Sequence, residues 1–198
     1  MDEESALAFA LRATAYHEAG HAVMAMFLGR AIQKVTIAPG QSHLGTQRLG
    51  ACHLQKGKAR GSHDYLEDEI MIFLAGMVAE SQITGRYCHQ GAAQDLRFVR
   101  RMLQSRNDGE KQIERLEKRL LSKTEHHLLD AEQWQAVESI AAELIRTETI
   151  SGRAAKHLYE LAHRDTPMHL LGRARVLRLA PVFARTRPRR LTHRPRAL

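Results

Sequence analysis

The amino-acid sequence predicts a mainly α fold with a small β-sheet, an α+β arrangement that ends in a helical bundle. Three observations carry this prediction. Apolar side chains recur at helical spacing through most of residues 5–161. Only residues 32–54 alternate them at the two-residue period of strands. Gly- and Pro-containing breaks separate the periodic stretches.

The first helix is expected over residues 5–28, capped by Ser5 or a neighbouring acid and closed by Gly29. Leu7, Leu11, Thr14 and Ala15 precede its centre, and Ala22, Val23, Met26 and Phe27 follow it. That composition predicts a largely buried helix. Residues 32–38 alternate Val35 and Ile37 with Lys34 and Thr36, the pattern of a half-buried strand, and Pro39-Gly40 ends it. Residues 46–54 form a second strand, with Gly45 and Gly50 as breaks, and residues 55–62 a basic loop. Asp64 and Glu67 have the spacing of a capping box. Ile70, Phe73, Leu74, Met77 and Val78 then trace a helix to about residue 83. A third helix starts near Gly91 with Leu96, Val99 and Leu103 inward, and Asn107-Asp108-Gly109 is a turn. Residues 110–129 make a charged amphipathic helix with Ile113, Leu116 and Leu120 as its stripe. Asp130 opens another, and Ser151 caps a last one reaching residue 161. The helices from residue 110 onward are expected to pack as a bundle.

With 198 residues and 43% hydrophobic content, the chain can bury one core. The organisation expected is one domain over residues 1–166 and an Arg/Pro-rich, largely disordered extension over 167–198. The net charge of +8 belongs to that extension, because residues 172–198 hold nine Arg and no acid. Without those nine, the remainder carries about −1. Such a stretch can bind nucleic acid or another acidic surface. It holds one aromatic, Phe183, so base stacking is not indicated. Two cysteines, Cys52 and Cys88, do not make a disulfide framework and read as reduced thiols of a cytoplasmic protein. No signal peptide and no apolar run of about 18 residues or more is present, so no membrane span is expected.

The densest chemical signal is His17-Glu18-Ala19-Gly20-His21. Residues four apart share a helix face, so both imidazoles can meet one metal ion, with Glu18 beside them as a base. Burying two His and a Glu without a partner would cost several kcal/mol, which zinc coordination would offset. Gly20, at mid-helix, costs about 1 kcal/mol against Ala and suggests close packing. Catalytic zinc takes three protein ligands and keeps one position for water. A third His six residues on, following as His-x-x-Gly-x-x-His, is excluded, because positions 24 and 27 are Met and Phe. The remaining candidates are Asp64, Glu67, Asp68, Glu69, Glu80, His89 and Asp95. Asp95 stands out among apolar neighbours, although a carboxylate at a helix N-terminus is also favoured by the dipole.

Five segments taken in order are more specific than any one of them. YHEAGHAV at 16–23, KVTIAPG at 34–40, LAGMVAES at 74–81, GAAQDL at 91–96 and ETISG at 148–152 resemble the peptidase domain of the FtsH family of membrane-bound AAA+ proteases. The resemblance covers roughly residues 10–165 and implies a zincin-like active-site helix and one Zn²⁺ per chain. It puts the third ligand at Asp95 and a carboxylate that orients a ligand His at Glu80. The strand around Leu44, Gly45 and Thr46 is similar to the family's substrate-lining edge strand. Two segments depart from the family pattern. Ala75-Gly76-Met77 stands where the family has Gly-Gly-Arg, and Ala38-Pro39-Gly40 where it has Pro-Arg-Gly.

The activity implied is that of a zinc metalloendopeptidase, with His17, His21 and Asp95 as ligands and Glu18 as general base. Tyr87, His89 and His43 are candidate oxyanion donors. No G-x-x-x-x-G-K-[ST] loop occurs in these residues, so the substrate expected is an already unfolded or flexible polypeptide. Unfolding would need an ATPase or chaperone partner in trans. The family's hexameric rings make a homo-oligomer a further expectation. The competing reading is a non-catalytic zinc-binding or scaffold module, with the Arg-rich end as its interaction surface.

Overall fold

The computed structural model describes residues 2–41, 47–48, 50–55, 64–89, 91–106 and 109–165. The chain runs α1 (Glu3–Phe27), β1 (Ile32–Thr36), β2 (Gly40–Gln41), β3 (Gln47–Arg48), β4 (Ala51–Leu54), α2 (Tyr65–Thr84), α3 (Ala93–Gln104), α4 (Glu110–Leu128), α5 (Ala131–Thr147), β5 (Thr149–Ser151) and α6 (Gly152–Asp165). The expected class holds: mainly helix, with a small antiparallel sheet ordered β4-β1-β5.

α1 begins where the Asp2 carboxylate accepts the Ser5 backbone N–H at 2.8 Å, so the acid and not Ser5 is the cap. Only its second half is buried. Ala13–Ala25 pack against α2 and α5, while Leu7 is 72% exposed and Phe9 and Leu11 lie in solvent. The expectation of a largely buried helix is therefore corrected for residues 3–12. At 25 residues α1 is about 37 Å long and outruns the elements that cover it.

Gly20 sets the spacing of α1 and α2. A Cβ there would stand 2.5 Å from the Ala75 carbonyl oxygen and 2.7 Å from the Ala79 methyl. The backbones thus approach where the His-Glu-x-x-His turn of α1 crosses the Ala75–Ala79 stretch of α2. α2 is itself apolar all round because it has two burial partners. Met71, Ile72, Ala75 and Val78 join the core with α1, β1 and α5. Ile70, Leu74 and Met77 join a second cluster with Val99, Leu103, Ile113 and Leu120 of α3 and α4. The helices expected as a bundle after residue 110 are accordingly two supports. α4 lies with α3 under one side of α2, and α5 packs with α6 against α1.

Two local expectations are corrected, and one strand is added. The single strand expected over 46–54 is two, β3 paired with β2 and β4 paired with β1, interrupted at Gly50. The Asp64–Glu67 capping box is half formed. Asp64 accepts the Leu66 and Glu67 N–H groups, but the Glu67 side chain pairs with Arg119 and Lys123 instead of returning to the cap. β5 was hidden within the cap of the last helix. Ile150 pairs with Val35 in the sheet, and one residue later the Ser151 hydroxyl accepts the Ala154 N–H.

Candidate metal centre

The His-Glu-x-x-His turn lies in the buried half of α1, where helical spacing brings the two imidazoles side by side, ring centroids 4.7 Å apart and nearly perpendicular. Each ring is fixed through Nδ1. That of His17 is 2.9 Å from Glu80 Oε2 on α2, and that of His21 is 2.7 Å from the Ile72 carbonyl oxygen. With both Nδ1 atoms engaged, both Nε2 atoms point the same way.

They point at Asp95. Its Oδ2 lies 3.1 Å from His17 Nε2 and 3.3 Å from His21 Nε2. Asp95 occupies the first turn of α3, yet α3 has no side-chain cap, so the carboxylate is turned to the imidazoles and not to its own helix end. Among the described residues, His17, His21 and Asp95 are the one group of three His, Cys, Asp or Glu side chains with ligand atoms within 4.8 Å of each other. Tetrahedral zinc with bonds of about 2.0–2.2 Å holds N and O ligands roughly 3.4 Å apart. The donor set and its spacing fit that ion.

The charges ask for the same partner. Glu18 and Glu80 are buried, Asp95 is four-fifths covered, and two imidazoles stand between these carboxylates. Without a cation, protons take its place. Burial alone would lower the His17 pKa, but its hydrogen bonds to Asp95 and Glu80 and the field of Glu18 raise it to about 10. His21 is raised as well, again against burial, chiefly by Asp95. Burial would lift the Asp95 carboxyl, yet the two imidazoles hold it well below the usual carboxylate range.

Glu18 follows His17 on α1 and faces β4. Gly50 packs on its carboxylate, and the Cys52 thiol, already pushed up by burial, is raised further by the Glu18 charge. The other ligand candidates lie outside this cluster. Asp64 pairs with Arg106 at 2.6 Å, Glu67 with Lys123 at 3.2 Å, and Glu69 with Arg30; Asp68 joins no such cluster, and His89 is exposed. Tyr87 donates to Glu125, which turns it away from an oxyanion role. His43 and the edge-strand residues Leu44, Gly45 and Thr46 lie outside the described residues. Sequence reasoning missed Ile72, whose carbonyl orients His21, because a backbone acceptor leaves no trace in residue type. It also assigned no role to Gly76, which lies against both imidazoles. Among the described residues, no helix is long and apolar enough to cross a membrane.

A helix-borne His-Glu-x-x-His completed by a distant carboxylate defines a class of metallopeptidase sites. The sequence profile of Peptidase family M41 matches residues 9–108, and the chain belongs to that family. It is similar to the ATP-dependent zinc metalloprotease FtsH 2 of Salinibacter ruber (strain M8), 38% identical over 91 residues, which are 44% of this chain and 13% of that protein. The ATP-dependent zinc metalloprotease FtsH of Marinobacter nauticus is 36% identical over 93 residues, 46% of this chain and 14% of that protein. The FtsH of Acidobacterium capsulatum is 40% identical over 72 residues, 35% of this chain and 11% of that protein. The matched stretch thus spans about one-seventh or less of these relatives.

Proposed function

We propose that this chain is a zinc-dependent metalloendopeptidase acting on unfolded or flexible polypeptides. The observation that carries the reading is the meeting of His17 Nε2 and His21 Nε2 with Asp95 Oδ2, 78 and 74 residues away in sequence, at 3.1–3.3 Å. His17, His21 and Asp95 would hold Zn²⁺. When bound, the ion lowers the pKa of water at the site toward about 7 and polarises a substrate carbonyl. The Glu18 carboxylate takes a proton from the attacking water as its oxygen bonds to the scissile carbon. Glu18 then returns that proton to the departing amine nitrogen as the C–N bond breaks. Glu80 holds the Nδ1 proton of His17, and the Ile72 carbonyl that of His21, which leaves each Nε2 lone pair for the metal.

The family membership and the zinc metalloprotease names of the relatives support this reading. The proposed chemistry cleaves a polypeptide and does not unfold one. We place that task with an ATPase or chaperone partner, as the ATP-dependent relatives suggest. The test is hydrolysis of casein by purified chain, abolished by a zinc chelator and restored by added Zn²⁺. Hydrolysis untouched by complete metal removal would refute the reading.

The raised imidazole pKa values give a pH signature. At pH 7 the metal-free His17 holds its proton, so zinc uptake should release about one proton or more per ion. Because the folded His17 value lies above its ordinary 6.5, its contribution to metal-free stability is complete below about 6.5. It is lost as pH rises through about 10. Metal-free protein should therefore lose melting temperature from pH 6.5 to 10, while zinc affinity climbs over that window. Calorimetry in two buffers of different ionisation enthalpy counts the protons, and melting curves with and without zinc give the opposed slopes.

A further inference from the structure

Two glycines face the centre, and neither is required by backbone shape. Among the described glycines only Gly29 and Gly85 adopt positive φ. Gly76 sits in the middle of α2, where alanine is the better helix former. Gly50 precedes β4 with ordinary backbone angles. Both are explained by room. A Cβ on Gly76 would lie 2.5 Å from His21 Nε2, 2.6 Å from His21 Cε1 and 2.7 Å from His17 Nε2. Those nitrogens are the atoms directed at Asp95. A Cβ on Gly50 would lie 2.6 Å from Glu18 Oε1, 2.7 Å from its Cγ and 3.0 Å from its Cδ. Non-bonded heavy atoms are at ease only near 3.5–4.0 Å, so either methyl forces the side chain beneath it to move.

We propose that Gly76 and Gly50 are positioning residues with divided tasks. Gly76 keeps the space over the two imidazole Nε2 atoms that a metal ion needs, and Gly50 fixes where the Glu18 carboxylate stands beside it. The division follows from the contacts. The three atoms nearest the Gly76 methyl all belong to the imidazoles of His21 and His17, and the three nearest the Gly50 methyl all belong to Glu18. A residue conserving only helix or strand stability would not separate the two functions. In Gly76→Ala the metal-free protein gains helix propensity while the rings must rotate out of register for an ion. The helix gain offsets part of the cost of displacing the rings, so zinc affinity should fall far more than metal-free stability. In Gly50→Ala the ligands keep their places and only the base is displaced, so the metal should remain while turnover falls.

The inference rests on the zinc-peptidase reading, and the experiment separates the two. Zinc affinity is measured by chelator competition on the full chain for wild type, Gly76→Ala and Gly50→Ala. Metal-free melting curves and casein kinetics accompany it. Gly76→Ala should lose at least ~100-fold in zinc affinity while its metal-free form still unfolds cooperatively. Gly50→Ala should keep wild-type zinc affinity and KM while kcat drops at least ~10-fold. Wild-type zinc affinity in Gly76→Ala, or wild-type kcat in Gly50→Ala, overturns the proposal and leaves the zinc reading standing. A wild-type chain that binds no zinc overturns both. Should Gly76→Ala fail to fold, the Gly50→Ala split between retained zinc and lost kcat decides the matter alone.

Discussion

Glu18→Gln should abolish measurable casein hydrolysis, a loss of about 10²–10⁴-fold, while zinc stays bound. The substitution keeps the side chain's shape in a site where Glu18 is only 7% exposed, so packing against Gly50 and β4 is preserved. What disappears is the ability to hold the water proton. Two electrostatic consequences for metal binding oppose each other. The negative charge of Glu18 favours a cation, but it also raises the pKa of His17 and His21, which strengthens the competing protons. Removing it weakens both terms together, so affinity should change little. Retained hydrolysis in the variant would take Glu18 out of the mechanism. A wild type that binds zinc but cleaves nothing would favour the non-catalytic module.

Asp95→Ala should do the reverse and remove the metal, lowering zinc affinity by more than about 100-fold, beyond the loss usual for residues that merely orient a ligand. In the proposed site Asp95 would supply one of three donors and the only anionic one, and its oxygen is the point where both Nε2 atoms meet. The same change should release the protons of His17, because its largest stabilising hydrogen bond is to Asp95. Elemental analysis after dialysis reads the first effect, and imidazole titration by NMR reads the second. Full zinc occupancy in Asp95→Ala would transfer the third ligand to another carboxylate. Glu80 would be the first suspect, since it already touches the opposite nitrogen of His17.

The fold class and the helices could be read from the sequence because their signals are local. One-sided apolar stripes mark α4 and α6, and a cap or a Gly marks most ends. His17, Glu18 and His21 were equally legible, since one helical turn fixes their relation. Asp95 was different. Its spacing left it one of seven candidates; its apolar neighbours set it apart, and the resemblance to the FtsH family favoured it further, whereas its approach to both Nε2 atoms depends on how α3 packs and could not be read. Elements that depend on distant partners could not be read. β5 is three residues long and exists only because β1 offers it an edge. The exposed first half of α1 looks apolar enough to bury, and nothing in its own sequence says how far α2 and α5 reach. Likewise Gly76 reads as a helix defect until the imidazoles below it are seen.

The central claim is most directly tested by an anomalous difference map at the zinc edge from crystals grown with Zn²⁺. The account predicts one strong peak per chain, bonded at about 2.0–2.2 Å to His17 Nε2, His21 Nε2 and an Asp95 oxygen. No peak between those side chains, in crystals of protein saturated with zinc, would contradict it.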